Sequence, residues 1–217
     1  MDPLFGAGRP FGASLPLDVL AGLTFLALVP FLAVTTTSFV RIVVVLSLVR
    51  SAIGASSLPP NAVLTALAML LSLVVMAPTF DAVSRNAVAP YAAGKLSQRE
   101  MLARAFAPVE AFMLRQAHRK DVALFGRLAK LPAAGSHPPP TVLIPAFIVG
   151  ELRSAFAIGF ALYLPFVAID LAVASILMGL GMFMLSPPVV SLPCKLLLFV
   201  MVDGWALVCG GVVATFR

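Results

Sequence analysis

Charge is what this sequence has least of. Only 11% of its 217 residues are Asp, Glu, Lys or Arg, while 61% are hydrophobic and the mean hydropathy is +1.06. A soluble domain carries about 25% charged residues. A surface this poor in charge excludes an ordinary soluble enzyme, a disordered regulator and a small secreted scaffold. Cysteine is nearly absent too. Cys194 and Cys209 both lie in apolar sequence, with no Cys or His at ligand spacing. They read as packing thiols, not as a disulfide framework or a metal site. No G-x-x-x-x-G-K-[ST], G-x-S-x-G, H-E-x-x-H or C-x-x-C motif occurs. The two histidines, His118 and His137, stand far apart in a polar stretch. Catalysis therefore has no candidate, and no cofactor or metal is expected. The excess of Lys and Arg brackets apolar blocks and forms no reading surface, so nucleic acid is not expected as a partner.

What the chain does have is long apolar runs. Val19–Val40 contains 22 residues without a charge, enough to cross a hydrocarbon core of about 30 Å. Pro30 lies inside it and is expected to kink or break a helix. Arg41 and Arg50 bracket a further apolar octapeptide, and a Pro59-Pro60 turn leads into a second block at 62–78. The sequence divides into a tail at 1–16, an apolar helical pair at 17–80, a polar helical insert at 81–140 and a C-terminal helical hairpin at 141–217. The tail shows no basic start followed by a short apolar core, so no cleavable signal peptide is expected.

The insert differs in kind. Between Asp81 and Lys130 there are nine basic and four acidic residues, a local balance of +5. Ser97-Gln98-Arg99-Glu100 is a capping-box pattern. Leu102, Phe106, Val109 and Met113 follow at one-face spacing. In the hairpin, Pro145 and Pro165 are expected to interrupt the first arm, roughly Ser154–Gly181. The return arm is expected over Pro193–Thr215. The loop 182–188 between the arms carries Met182, Phe183 and Met184. These residues read either as a greasy buried loop or as a flexible ring sealing a pore between several copies.

Charges inside apolar sequence are costly and face protein or water. Arg41, Glu151, Asp170, Lys195 and Asp203 fit this description. They form either a proton or ion relay, as in an ion-coupled multi-span transporter, or ion pairs between helices or subunits. The near balance of acids and bases favours pairing. Proline-interrupted apolar blocks need neighbouring protein or a wet cavity to satisfy freed backbone groups. The fold class expected is all-α: membrane-associated helical hairpins with proline-broken apolar helices, packed in an oligomer.

The residues now resemble a known family. Thr37-Ser38-Phe39-Val40-Arg41-Ile42 is similar to a T-S-F-x-R-I signature. Leu48 to Gly54, Pro59-Pro60-Asn61, Phe112-Met113-Leu114-Arg115-Gln116 and Pro145-Ala146-Phe147 with Glu151-Leu152 add to it. Ala155-Phe156, Ile158-Gly159-Phe160, Pro165-Phe166, Ile169-Asp170-Leu171, Ala174-Ser175, Lys195-Leu196, Phe199 and Asp203-Gly204-Trp205 complete the pattern. Together they resemble the FliP/SctR (YscR/HrcR) family of type III secretion export-gate proteins, over about 17–217. The resemblance implies a non-enzymatic subunit of a helical export gate in the bacterial inner membrane, multi-pass or assembled at its periplasmic side. It implies five copies joined with Q-type (FliQ/SctS) and R-type (FliR/SctT) subunits and other export-apparatus and basal-body components. Unfolded secreted proteins would pass through the pore. The family's methionine gasket falls on Met182, Phe183 and Met184, with Phe183 a departure from three methionines. Its inter-subunit charge contacts fall on Arg115, Glu151, Asp170 and Lys195. The insert and both termini would lie on the periplasmic side. Without an evident signal peptide, the virulence-type injectisome is expected over the flagellar system.

Overall fold

The computed structural model describes residues 17–55, 58–130 and 137–216. The tail expected at 1–16 lies outside them, as does the end of the insert at 131–136. Among the described residues there is no strand and every regular element is helical, as expected. The helices are α1 (Leu17–Thr36), α2 (Phe39–Ile53), α3 (Asn61–Val83), α4 (Ala89–Ala92), α5 (Gln98–Gln116), α6 (Arg119–Leu128), α7 (Pro140–Gly179), α8 (Pro187–Met201) and α9 (Gly204–Ala214). A π-helical turn, Ser84–Val88, joins α3 to α4. The chain divides into two compact units, one ending at Ala33 and one beginning at Val34.

In the second unit α2 is the central helix. Ile42, Val45, Leu46 and Val49 are at most 1% exposed and pack with Leu64, Ala68, Ala155, Phe166, Phe199, Val208 and Val212. These side chains come from α3, α7, α8 and α9, so one short apolar helix gathers most of the fold. The approach of α7 is close: a Cβ at Gly159 would run into the Leu48 side chain. A second core joins Met76, Phe112, Met113, Leu143 and Phe147, and so fixes α5 against α3 and the first part of α7.

Local chemistry sets the element ends. α2 stops at Gly54, which takes the left-handed conformation at φ +86°, the position a glycine fills without a Cβ penalty. Arg50 Nη1 donates to the Pro59 carbonyl at 3.1 Å and to Asn61 Oδ1 at 2.5 Å, tying the following turn to α3. The capping box opens α5 as its spacing predicts. The Glu100 amide donates to Ser97 Oγ at 3.3 Å, and the Ser97 amide donates to Glu100 Oε2 at 2.9 Å.

Among the described residues, two helices, Asn61–Ala92 and Pro140–Gly179, are long and apolar enough to cross a membrane. The end of α1 with α2, and α8 with α9, pass the same test as bent pairs; α8 and α9 meet at 65°. The positions of the breaks differ from those expected. Pro145 and Pro165 stay inside one 40-residue helix, and Pro30, Pro78, Pro108 and Pro193 also lie within helices. A proline removes one backbone donor, while the flanking turns continue. The breaks fall instead at Thr37-Ser38 and at Val202-Asp203, where Asp203 has φ +51°. The return arm also begins earlier than expected, at Pro187. A proline in the first helical turn lacks only a donor that would be unpaired there anyway.

Candidate functional site

Arg41 is placed by the start of α2. Ser38, just before that helix, is fully buried and shares a 3.0 Å hydrogen bond with Ser72 Oγ of α3. Ser72 Oγ donates on to Thr37 Oγ1 at 3.4 Å. This polar knot fixes the first turn of α2, so Arg41 points into the core, only 4% exposed. Its Nε donates to Glu151 Oε2 at 2.9 Å and its Nη2 to Glu151 Oε1 at 2.5 Å. Glu151, on α7, is fully buried. Nη2 also donates to Gln116 Oε1 at 3.2 Å, and Nη1 to Thr215 Oγ1 at 3.1 Å. The Phe216 ring lies 4.0 Å from the guanidinium carbon and stacks in turn on Phe112. One arginine thus joins α2, the end of α5, α7 and the last residues of the chain. The planar fork suits this task, because it meets the carboxylate with two parallel bonds and still has donors left.

Asp170 and Lys195 form a second pair, between α7 and α8. Lys195 Nζ donates to Asp170 Oδ2 at 2.6 Å and to the Ala52 carbonyl at 3.3 Å. Ser191, one turn before Lys195, donates from Oγ to Asp170 Oδ1 at 2.5 Å. The lysine is 7% exposed and the aspartate 34%. The pair therefore sits at the edge of the core, with its acid partly open.

A third pair links Asp121 of α6 to Arg153 of α7 through two bonds, at 2.7 and 2.8 Å. Sequence reasoning missed this pair, and with it Gln116, Thr215, Phe216 and Ser191. One signal was present. Asp121 stands four residues before Phe125 and one before Val122, an acid on the apolar face of a short helix.

The remaining sequence-predicted residues lie apart from these networks. Arg115 is exposed and has no ion-pair partner among the described residues. It lines a cleft of about 550 Å³ between α3 and α5, together with Arg104, Asn86 and Thr79. Asp203 is exposed at the α8–α9 joint, where its carbonyl accepts from the Leu207 amide at 3.1 Å. Beside it Gly204 packs so tightly on Phe199 that a Cβ would overlap the ring.

The apolar loop is built from α7's end. The Met182 amide donates to the Leu177 carbonyl at 2.9 Å and the Gly181 amide to the Met178 carbonyl at 3.1 Å. With Gly181 at φ +74°, this is a Schellman closure. It turns the chain sharply and throws the next three side chains outward. Met182 is 42%, Phe183 80% and Met184 100% exposed. The loop is not buried in its own chain.

Long apolar helices, bent spans and charges consumed in internal pairs define an all-helical membrane protein. The chain belongs to the FliP family, whose model matches residues 22–212. A flagellar biosynthetic protein FliP of Caulobacter vibrioides is 49% identical over 90% of this chain and 74% of its own length. That of Bacillus subtilis is 41% identical over 98% of this chain and 97% of its own. That of Pectobacterium carotovorum is 44% identical over 99% and 83%. These relatives are flagellar by name, so the expected injectisome assignment finds no support.

Proposed function

We propose that this chain is a pore-forming subunit of a flagellar type III export gate in the bacterial inner membrane. Several copies, five by the family resemblance, assemble with Q-type and R-type subunits and other basal-body components around a path for unfolded proteins. The carrying observation is the loop at 182–184. Phe183 and Met184 project from a glycine-closed turn and touch little of their own chain, and Met182 beside them is partly exposed. Methionine adapts to an irregular gap, and the phenylalanine adds a flat ring of larger area. Repeated around a central axis, such loops would close a hydrophobic constriction that still yields to a passing chain.

The charged pairs support a gate scaffold over a proton relay. Glu151 and Asp170 each already hold a cation from another helix, which disfavours the ion-coupled transporter. Asp170 keeps an open side and Arg115 stands free, and we assign both to contacts with neighbouring subunits. Glu151 and Lys195 hold the fold behind those contacts. The polar insert and both chain ends are assigned to the periplasmic side, which leaves the short turn between α2 and α3, held by Arg50, facing the cytoplasm. That distribution agrees with the positive-inside preference for short loops. Co-purification with the products of neighbouring genes, followed by native mass spectrometry, tests the reading. A ring of several copies with smaller helical partners is expected; a lone monomer coupling ion flux to a small solute would overturn it.

A further inference from the structure

We propose that α6 is an interfacial helix whose outward face binds anionic phospholipid headgroups. The inference does not depend on the export role. It starts from what α6 does with its own charges. Asp121 is the helix's acid, and it is buried, held by two bonds to Arg153. Gly126, farther along the helix, is buried as well. At the helix start, His118 packs over Gly150, where an added Cβ would lie 3.2 Å from the imidazole Nδ1. The inner face is thereby neutralised and fixed to α7.

The outer face is of one sign. Arg119, Lys120 and Arg127 are exposed, and Lys130 follows just past the helix end. None of the four has an acidic partner among the described residues. Between them stand two exposed leucines, Leu124 at 41% and Leu128 at 67%. Cations alone would suit any acidic surface. Cations with leucines between them suit a surface that is anionic outside and apolar a few ångströms deeper, which is a bilayer interface.

The position of α6 on α7 agrees. Arg153 is the last charge on α7 before Asp170, which is itself paired with Lys195. Beyond Arg153 the segment Ser154–Gly179 measures about 39 Å as a helix, more than a hydrocarbon core needs. Its exposed stripe begins three residues past Arg153, with Phe156, Phe160 and Leu164 all more than half exposed. The level at which Asp121 grips α7 is therefore where charge gives way to hydrocarbon-like surface. That is the headgroup level, where lysine and arginine reach phosphates while their stems lie on apolar groups.

Hydrogen exchange on the full chain in nanodiscs tests this. One set of discs contains phosphatidylcholine alone and the other adds phosphatidylglycerol. Each cation near an anionic surface strengthens binding by about fivefold. Amides of residues 119–128 should exchange at least about fivefold more slowly in the anionic discs, and raised salt should erase the difference. Lys120→Gln/Arg127→Gln should lose most of the protection, with α5 exchange unchanged as the sign of an intact fold. Equal exchange in both discs would overturn the proposal. So would protection by inorganic phosphate alone, or cross-links from α6 to another polypeptide in the purified assembly, which would make the face a protein contact.

Discussion

Removing the Arg41 guanidinium would leave the Glu151 carboxylate fully buried with no counter-charge. Arg41→Ala deletes both bonds to Glu151, the bonds to Gln116 and Thr215, and the contact with the Phe216 ring. Breaking a buried pair from one side costs about 3–5 kcal/mol, because the remaining ion has no water to return to. The lost ring contact adds up to about 2 kcal/mol where it is desolvated. Arg41→Lys keeps the charge but loses the fork, so it should fall between the wild type and Arg41→Ala. The double variant Arg41→Met/Glu151→Met removes both charges and fills the space. It should be more stable than Arg41→Ala, because the desolvation cost disappears with the pair. Thermal unfolding of the detergent-purified chain, followed by circular dichroism, reads the order directly. An Arg41→Ala variant within about 1 kcal/mol of wild type would refute the reasoning. So would a double variant no better than the single one.

Other consequences are separable. Gly159→Ala places a methyl group against Leu48 and should cost about 1–3 kcal/mol, with partial rescue by Leu48→Ala in the same unfolding assay. Asp170→Ala should weaken the chain less than Arg41→Ala, since the aspartate is one-third exposed and Lys195 keeps the Ala52 carbonyl; it should also loosen any oligomer on native gels. The Glu100 carboxyl is held below its ordinary value, first by the Ser97 amide and then by its hydroxyl. Its contribution is full above the unfolded-state value and lost as pH falls through the lowered one. Amide exchange in the first turn of α5 should therefore rise selectively on acidification below the ordinary carboxylate range, and Glu100→Gln should flatten that dependence.

Much of the architecture was legible because it rests on local signals. Low charge and long apolar runs gave a helical membrane protein. Ser97 and Glu100 marked the start of α5, and of the expected face Leu102, Phe106, Val109 and Met113 the last three pack into the core while Leu102 stays exposed. The positions of the breaks were not legible. Proline is a strong local signal, yet Pro145 and Pro165 sit inside α7, where neighbouring turns carry the helix past them. The break at Asp203 depends on a left-handed backbone next to the Gly204–Phe199 contact, which no propensity shows. The charges were singled out individually, but their partners were not. Arg41 and Glu151 are 110 positions apart, and only the packing of α2 on α7 brings them together. The loop at 182–184 stood out by its own apolar residues, and the resemblance to the FliP/SctR family added the gasket reading; its exposure, rising from 42% at Met182 to 100% at Met184, is a property of the fold.

The most direct test of the gate reading is the conductance of the reconstituted assembly with Met182, Phe183 and Met184 replaced by glycine. All three side chains lie largely outside their own chain's core, so assembly and unfolding temperature should hold. Small-ion leakage through the closed pore should rise well above wild type, while Asp203→Asn should leave it unchanged. A triple variant that assembles, secretes normally and remains as tight to ions as wild type would contradict the account.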